Sequence, residues 1–479
     1  MTEFTKLNYI NIGPGGTFRP SGNLQTSAAD IDAIFKYLEQ SNTKKLAVHF
    51  HGGLVKEESG EGIARNMKPV YEAGGAHSLT FIWETGLVET ITRNLTDIHN
   101  TKLFQKLIRY VFKQLTKRLG ADISGRGPSE SMTMAEIETE LSKIDKFEVF
   151  ESRARSGAQS LDEASLEQAK DEMTLEYQME LQADQDFLDS EEKLLFQETY
   201  LKSQIEADLR EDGRGFEIIK VARTLARVTY RVLKRYWKGR DHGLYPTTVE
   251  ELLREFYLDD FGAWVWDGMK TIAKKMWYPN SENIDQYSHP GTYFLEKLGS
   301  FQSENPGFIV DFVGHSAGAI AICQMLKSAN LAGTIPEIRN IVFLAPACTS
   351  QLMHNEIVSK EERYESFRMF TMQDKYEKED RLVPFIYTRS LLYFISGVLE
   401  PNEVDTPIAG MERFWTGEKP FEDDYLVSSA AWLKSSGKNR NVLSVTESTI
   451  SGMKSESVTH GGFDNDEKTL SSLTYIISQ

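Results

Sequence analysis

Three observations predict an α/β protein with a mostly parallel central sheet flanked by helices. Short apolar runs that read as strands alternate with helix-competent stretches toward both ends of the chain. One of those strands passes into a helix through the tight turn Gly314-His315-Ser316-Ala317-Gly318. The alternation is also broken by about 200 residues of helical periodicity, so a large all-α insertion is expected between a strand near 78–83 and a strand near 308–313.

At 479 residues the chain is longer than one core usually needs, which favours a domain with an insertion. Residues 1–90 and 300–479 form the predicted core, and 91–299 form the insertion. Its acidic segment, 121–215, holds 25 acidic and 10 basic residues, a net of -15 out of -17 for the whole chain. That charge argues against general affinity for nucleic acid, whose phosphates would be repelled. No basic stretch followed by an apolar core opens the chain, and no apolar run reaches the ~18 residues of a membrane span, so no transmembrane segment and a cytoplasmic location are expected. Cys323 and Cys348 are the only cysteines, too few for a disulfide framework. With no Cys/His cluster at zinc spacing, neither a metal nor a cofactor is expected.

Residues 6–12 alternate like a half-buried strand and stop at the turn Gly13-Pro14-Gly15-Gly16. Ser27-Ala28-Ala29-Asp30 then opens a helix with Ile31, Ile34, Phe35 and Leu38 on one face. Lys45 to His51 is a continuous apolar strand broken by histidines, with His49 expected in the core and His51 organising the loop that follows through Gly52-Gly53-Leu54. A helix around 62–71 and the strand Ser78 to Trp83 complete a βαβ crossover, which implies parallel pairing.

In the insertion, Leu103 to Leu119 turns Phe104, Leu107, Val111, Phe112 and Leu115 inward and presents a row of lysines and an arginine. Phe216 to Trp237 is a second basic helix, with Arg223, Arg227, Arg231 and Lys234 at helical spacing. Pairing of these basic helices with the acidic segment is preferred over contact with an anionic membrane, because the acidic segment would repel the same partner. Peripheral membrane contact is therefore not favoured, and a homo-oligomer formed through the insertion is compatible with the pattern. The acidic middle, poor in large apolar residues, is expected to protrude or to pair with the basic helices or a second subunit, and the aromatic-dense stretch ending at Trp277-Tyr278 points to a preference for a hydrophobic group on any substrate. After the turn at Ser316, strands are expected at 339–345, 367–372 and 441–445, followed by the loop at His460 and a helix over 467–477.

A serine hydroxyl is a nucleophile only if a base takes its proton as the new bond forms, and that base needs an orienting group. The Gly-x-Ser-x-Gly turn between strand and helix, the upstream His-Gly-Gly loop and a histidine in the last loop resemble the α/β-hydrolase superfamily, in its lipase- and esterase-like form. The resemblance covers the core and implies Ser316 as nucleophile and His460 as base. It implies Asp374, at a strand end, as the carboxylate, with Asp380 in Asp-x-x-Val-Pro as the alternative. The oxyanion hole would take its amides from Ala317 and from Gly53 or Leu54. The implied activity is hydrolysis of an ester or thioester, lipids included, by an acyl-enzyme route. The insertion departs from the family's usual pattern, in which caps more often follow the strand after the elbow, but its ends adjoin strands expected at the sheet centre, so it is expected to form a cap over Ser316. The alternatives are a catalytically silent hydrolase-like scaffold acting through the acidic helices, and a serine peptidase.

Overall fold

The computed structural model describes residues 3–41, 43–52, 57–83, 87–119, 163–188, 213–257, 263–332, 336–400 and 405–479. The chain runs through β1 (Tyr9–Ile12), α1 (Ala28–Gln40), β2 (Lys45–Phe50), α2 (Glu57–Ala73) and β3 (His77–Trp83). The insertion supplies α3 (Leu87–His99), α4 (Lys102–Leu119), α5 (Glu163–Ala183), α6 (Gly213–Trp237), α7 (Leu244–Phe256) and α8 (Ala263–Lys275). Helix α9 (Pro290–Glu304) then leads into β4 (Ile309–His315), α10 (Gly318–Ala332), β5 (Ile338–Leu344), α11 (Ser350–Glu356), β6 (Tyr364–Met372) and α12 (Asp374–Glu379). Helix α13 (Asp424–Leu433), β7 (Asn441–Ser444) and α14 (Glu467–Ser478) close the chain. Among the described residues no helix is long and apolar enough to cross a membrane.

The seven strands form one sheet in the order β1-β3-β2-β4-β5-β6-β7, and every pairing is parallel. With helices on both faces such a sheet is buried throughout. That is why β1, expected to be half-buried, has all four residues inside. It is also shorter than expected, because Lys6–Asn8 is a 3-10 turn held by reciprocal bonds between Thr5 and Asn8. Helix α1 starts as its sequence indicates: the Ser27 and Asp30 side chains each accept from the other's amide, and Ile31, Ile34, Phe35 and Leu38 are buried.

After β2 the chain moves to one side of the sheet, and after β4 to the other. The order reverses between these two strands, and at such a switch point a crevice opens at the carboxyl ends. The register pairs Phe50 with Gly314, so two residues further on Gly52 lies opposite Ser316.

At the other end of β4, Asp311 is fully buried and grips Arg339 through both carboxylate oxygens, while Asn340 Nδ2 donates to it at 2.8 Å. Arg339 and Lys45 also donate to the carbonyl of Ile477 at the end of α14, 2.9 and 3.1 Å away. One buried carboxylate thus joins β4 to β5 and, through Arg339, to the last helix.

In the insertion, α4 and α5 lie antiparallel: Lys106 pairs with Asp184 (2.8 Å), Lys113 with Glu180 (2.6 Å), Lys117 with Glu176 (2.8 Å) and Arg118 with Glu172 (3.0 Å). The arginines of α6 choose a nearer partner than the acidic segment. Arg227 and Arg231 meet Glu255, and Arg235 meets Glu250 and Glu251, all on α7. Of the alternatives for the acidic middle, α5 takes pairing with a basic helix and does not protrude. Leu166, Met173, Tyr177 and Leu181, spaced by four or seven residues, make a buried stripe, and Tyr177 Oη bonds Thr229 Oγ1 at 2.6 Å. The remaining acidic residues, 121–162 and 189–212, lie outside the described residues. The insertion packs on the core through α7, which sits against residues 395–399, and α8, which sits against α10. Both share one continuous hydrophobic cluster with the sheet.

Replacing Asp311 with alanine leaves the Arg339 guanidinium without its buried partner. The expected loss of stability is about 3–5 kcal/mol, measured by denaturant unfolding; a loss below about 1 kcal/mol would show that the pair is solvated and does not hold the sheet.

Candidate active site

Ser316 stands at the switch point in the left-handed region, with φ of 52°, which non-glycine residues seldom adopt. Its backbone is stitched to the end of β5, since the Ser316 amide donates to Leu344 O (2.8 Å) and Ala347 donates to Ser316 O (3.0 Å). These bonds sustain a conformation that is costly on its own. The flanking glycines are required by space. A Cβ on Gly318 would stand 2.0 Å from Phe50 O, and one on Gly314 would stand 2.8 Å from the Gly318 carbonyl carbon. The start of α10 therefore presses directly on the end of β2. The Ala317 amide is among the donors that the first turn of a helix leaves without an intrahelical partner.

His460, in a 3-10 turn before α14, places Nε2 2.9 Å from Ser316 Oγ. Both are buried, Ser316 at 1% exposure and His460 at 7%. The His460 main chain is held on both sides, its amide donating to Asp380 Oδ2 (2.7 Å) and its carbonyl accepting from His315 Nε2 (3.0 Å). Nδ1 has no hydrogen-bond partner among the described residues.

The two candidate carboxylates, Asp374 and Asp380, lie at opposite ends of one turn, and neither contacts the His460 ring. Residues 374–379 do not form an open loop after β6 but the helical turn α12, so Asp374 stands at the helix start and Asp380 just past its end. Asp374 is committed elsewhere: it accepts from Tyr393 Oη (2.6 Å) and pairs with Lys378 (2.6 Å). Burial raises its pKa, but Lys378, Tyr393 and Arg413 outweigh that and hold it below the usual carboxylate value. Asp380 reaches His460 instead, through the backbone amide and not the ring. Burial pushes its carboxyl up, opposed by that amide.

Gly53 and Leu54 lie outside the described residues. Gly52 is described, and a Cβ there would be 3.4 Å from Ser316 Cβ, so the strand end passes directly beside Ser316. His51 fixes it in place: Nε2 accepts from the Trp83 amide (3.2 Å), so Nδ1 carries the proton and donates to Gly52 O (2.6 Å). His49 lies in the core as expected, with the Tyr71 hydroxyl 2.7 Å from its Nδ1. Cys323 and Cys348 are fully buried, and burial pushes the Cys323 thiol well up, which suits packing and not nucleophilic attack.

Sequence reasoning missed the polar junction between insertion and core. His242 bridges Glu250 (2.7 Å) and Asp405 (2.8 Å), Tyr387 Oη donates to Glu250, and Arg235 faces Glu250 at 2.8 Å. Burial would raise Glu250, but His242 and Arg235 bring it to about 2. The only signal was a cluster of charges in a segment that otherwise reads as ordinary amphipathic helix. A cavity of about 600 Å³ opens beside this junction, lined by His242, Asp374, Arg389, Arg413 and Trp415 and not by Ser316 or His460. Within the aromatic stretch, Trp277 packs in the core, 5.9 Å from the Phe50 ring and 5.7 Å from Phe81.

Fold and site together define an α/β protein with a parallel sheet and a serine–histidine contact at its switch point. Compared with known proteins, the chain matches no family model, no curated protein and no solved structure.

Burial lowers the pKa of His460 to about 3, helped by His315, and burial likewise lowers His49 to about 3 and His51 to about 4. Unfolded, these side chains would titrate near 6.5, so between pH 6.5 and about 4 the unfolded chain binds more protons. Their stabilisation is present above 6.5 and is lost as pH falls; His77, His99 and His354 add in the same direction. Glu377, pushed up to about 8 by burial, and Asp380 oppose this, losing stability as pH rises. The histidines outnumber them, and each net proton is worth about 1.4 kcal/mol per pH unit. Thermal unfolding is expected at steadily lower temperature from pH 6.5 to 4.5; a flat or rising midpoint would contradict the neutral burial of these histidines.

Proposed function

We propose that this protein is a serine hydrolase that cleaves an ester or thioester through an acyl-enzyme intermediate. The observation that carries this reading is Ser316 Oγ, on a strained turn at the switch point, 2.9 Å from His460 Nε2. In the proposed reaction Oγ bonds to the acyl carbon as its proton passes to Nε2. The tetrahedral oxyanion faces the Ala317 amide, with Gly53 or Leu54 as the second donor. Collapse breaks the bond to the leaving alkoxide or thiolate, which takes the proton from His460. Water, deprotonated by the same nitrogen, then releases the acid and restores Ser316.

Asp380 is the proposed orienting carboxylate, because it alone of the two candidates contacts His460. The insertion is the proposed cap: its packing on α10 and on residues 395–399 supports a role in shaping access to Ser316. A lipid acyl group remains within the proposed substrate class.

A second reading is favoured by one observation. His460 Nδ1 is unpartnered among the described residues, and its low pKa makes it a weak base, as in a hydrolase-like scaffold without turnover.

A panel of acyl esters, thioesters, phospholipids and peptide amides separates the readings. Hydrolysis is expected for at least one ester or thioester, with Ser316→Ala at background and Asp380→Ala, which removes the acceptor of the His460 amide, reduced about 10–100-fold, while Asp374→Asn stays near the wild-type rate. No turnover of any substrate by folded protein would favour the scaffold, and equal losses from both aspartate variants would remove the distinction drawn between them.

A further inference from the structure

The residue before the nucleophile makes contacts that the reaction as described does not use. His315 is 5% exposed, and Nε2 donates to the carbonyl of His460 at 3.0 Å. This fixes a proton on Nε2. The other ring nitrogen, Nδ1, lies 3.4 Å from Asp464 Oδ2, an ion-pair contact longer than a formed hydrogen bond. Asp464 is itself buried, and its second oxygen accepts from Asn465 Nδ2 at 2.9 Å.

Asp464 is four residues beyond His460, on the same turn. That turn is closed by Gly462 donating to Thr459 O, and by Asn465 and Asp466 donating to Gly462 O. One imidazole therefore holds the turn at two points, the carbonyl of its first residue and the carboxylate of its fifth. Because His315 is joined covalently to Ser316, any shift of the turn relative to the nucleophile must break one of these contacts. The Asp380 bond to the His460 amide secures the same residue from the opposite side.

We propose that His315 and Asp464 form a second histidine–carboxylate pair, distinct from the reacting one, that positions the general base by holding its main chain. This rests on the serine-hydrolase reading for its catalytic meaning, though not for its geometry. His315 and Asp464 are positioning residues, since neither touches Ser316 Oγ or the His460 ring nitrogens by hydrogen bond. Burial alone would lower the His315 pKa, yet Asp464 outweighs it and holds it above the ordinary histidine value, which agrees with a paired and not a merely enclosed imidazole.

The test compares wild type, His315→Ala, His315→Gln and Asp464→Asn in the full chain. Glutamine retains an N–H at the reach of Nε2, so it can restore the bond to the His460 carbonyl without the ring. Two readouts are needed: the second-order rate of labelling by a fluorophosphonate, and hydrogen exchange of the amides over residues 458–466. His315→Ala is expected to label about 10–100-fold more slowly and to exchange faster over that turn, with Asp464→Asn changed in the same directions. His315→Gln is expected to recover both most of the rate and the protection. Wild-type rate and protection in His315→Ala would overturn the proposal, as would a glutamine variant as impaired as alanine at equal thermal stability. If wild type does not label at all, the hydrolase reading fails, and the exchange pattern still decides whether the pair holds the turn.

Discussion

The structure depends on one close approach, that of the elbow after β4 to the end of β2. There is no room for a side chain between Gly318 and the carbonyl of Phe50. The helix after Ser316 must therefore begin against the neighbouring strand, and the chain can turn so sharply only by putting Ser316 into the left-handed region. Glycine at 314 and 318 and a strained serine between them are one steric solution. The same approach sets Gly52 beside Ser316, through a register fixed by the Phe50–Gly314 pairing. In a sheet whose order reverses between β2 and β4, this is also where the crevice opens.

Holding a histidine against that serine across 144 residues of chain takes support from several directions. The last helix is pinned at its end by Arg339 and Lys45, and at its start by Asp466, whose side chain accepts from the Thr469 amide. Between sheet and helix, the His460 turn is secured through its own backbone by Asp380 and His315. Side chains from β4 and from the segment after β6 thus converge on two main-chain atoms of the final loop. Further out, Asp374 accepts from Tyr393, whose ring lies under Arg413, and makes no contact with His460.

Local chemistry made much of the fold legible in the sequence. The βαβ rhythm, the Ser27–Asp30 capping box and the strand–turn–helix at Ser316 all follow from neighbouring residues, and all are present in the structure. Position in space was readable only where chain order constrained it, as for His460 in the last loop. It was not readable for Asp374 and Asp380, because the six-residue turn 374–379 is too short to give a periodicity, and it sets Asp380, just past its end, against the His460 amide. For acidic helix α5, composition left protrusion and pairing both open, and the ion pairs with α4 show the second. A stripe of four apolar residues among many glutamates is thin in composition but sufficient once α4 offers lysines at matching intervals.

The central claim is that Ser316 is a nucleophile activated by its place against His460. Its most direct test is to treat the folded protein with a fluorophosphonate, digest it and map the covalent adduct by mass spectrometry. The account predicts a single phosphonylated peptide containing Ser316, absent when His460 is replaced by alanine. An adduct on a different residue, or equal labelling of Ser316 without His460, would contradict it.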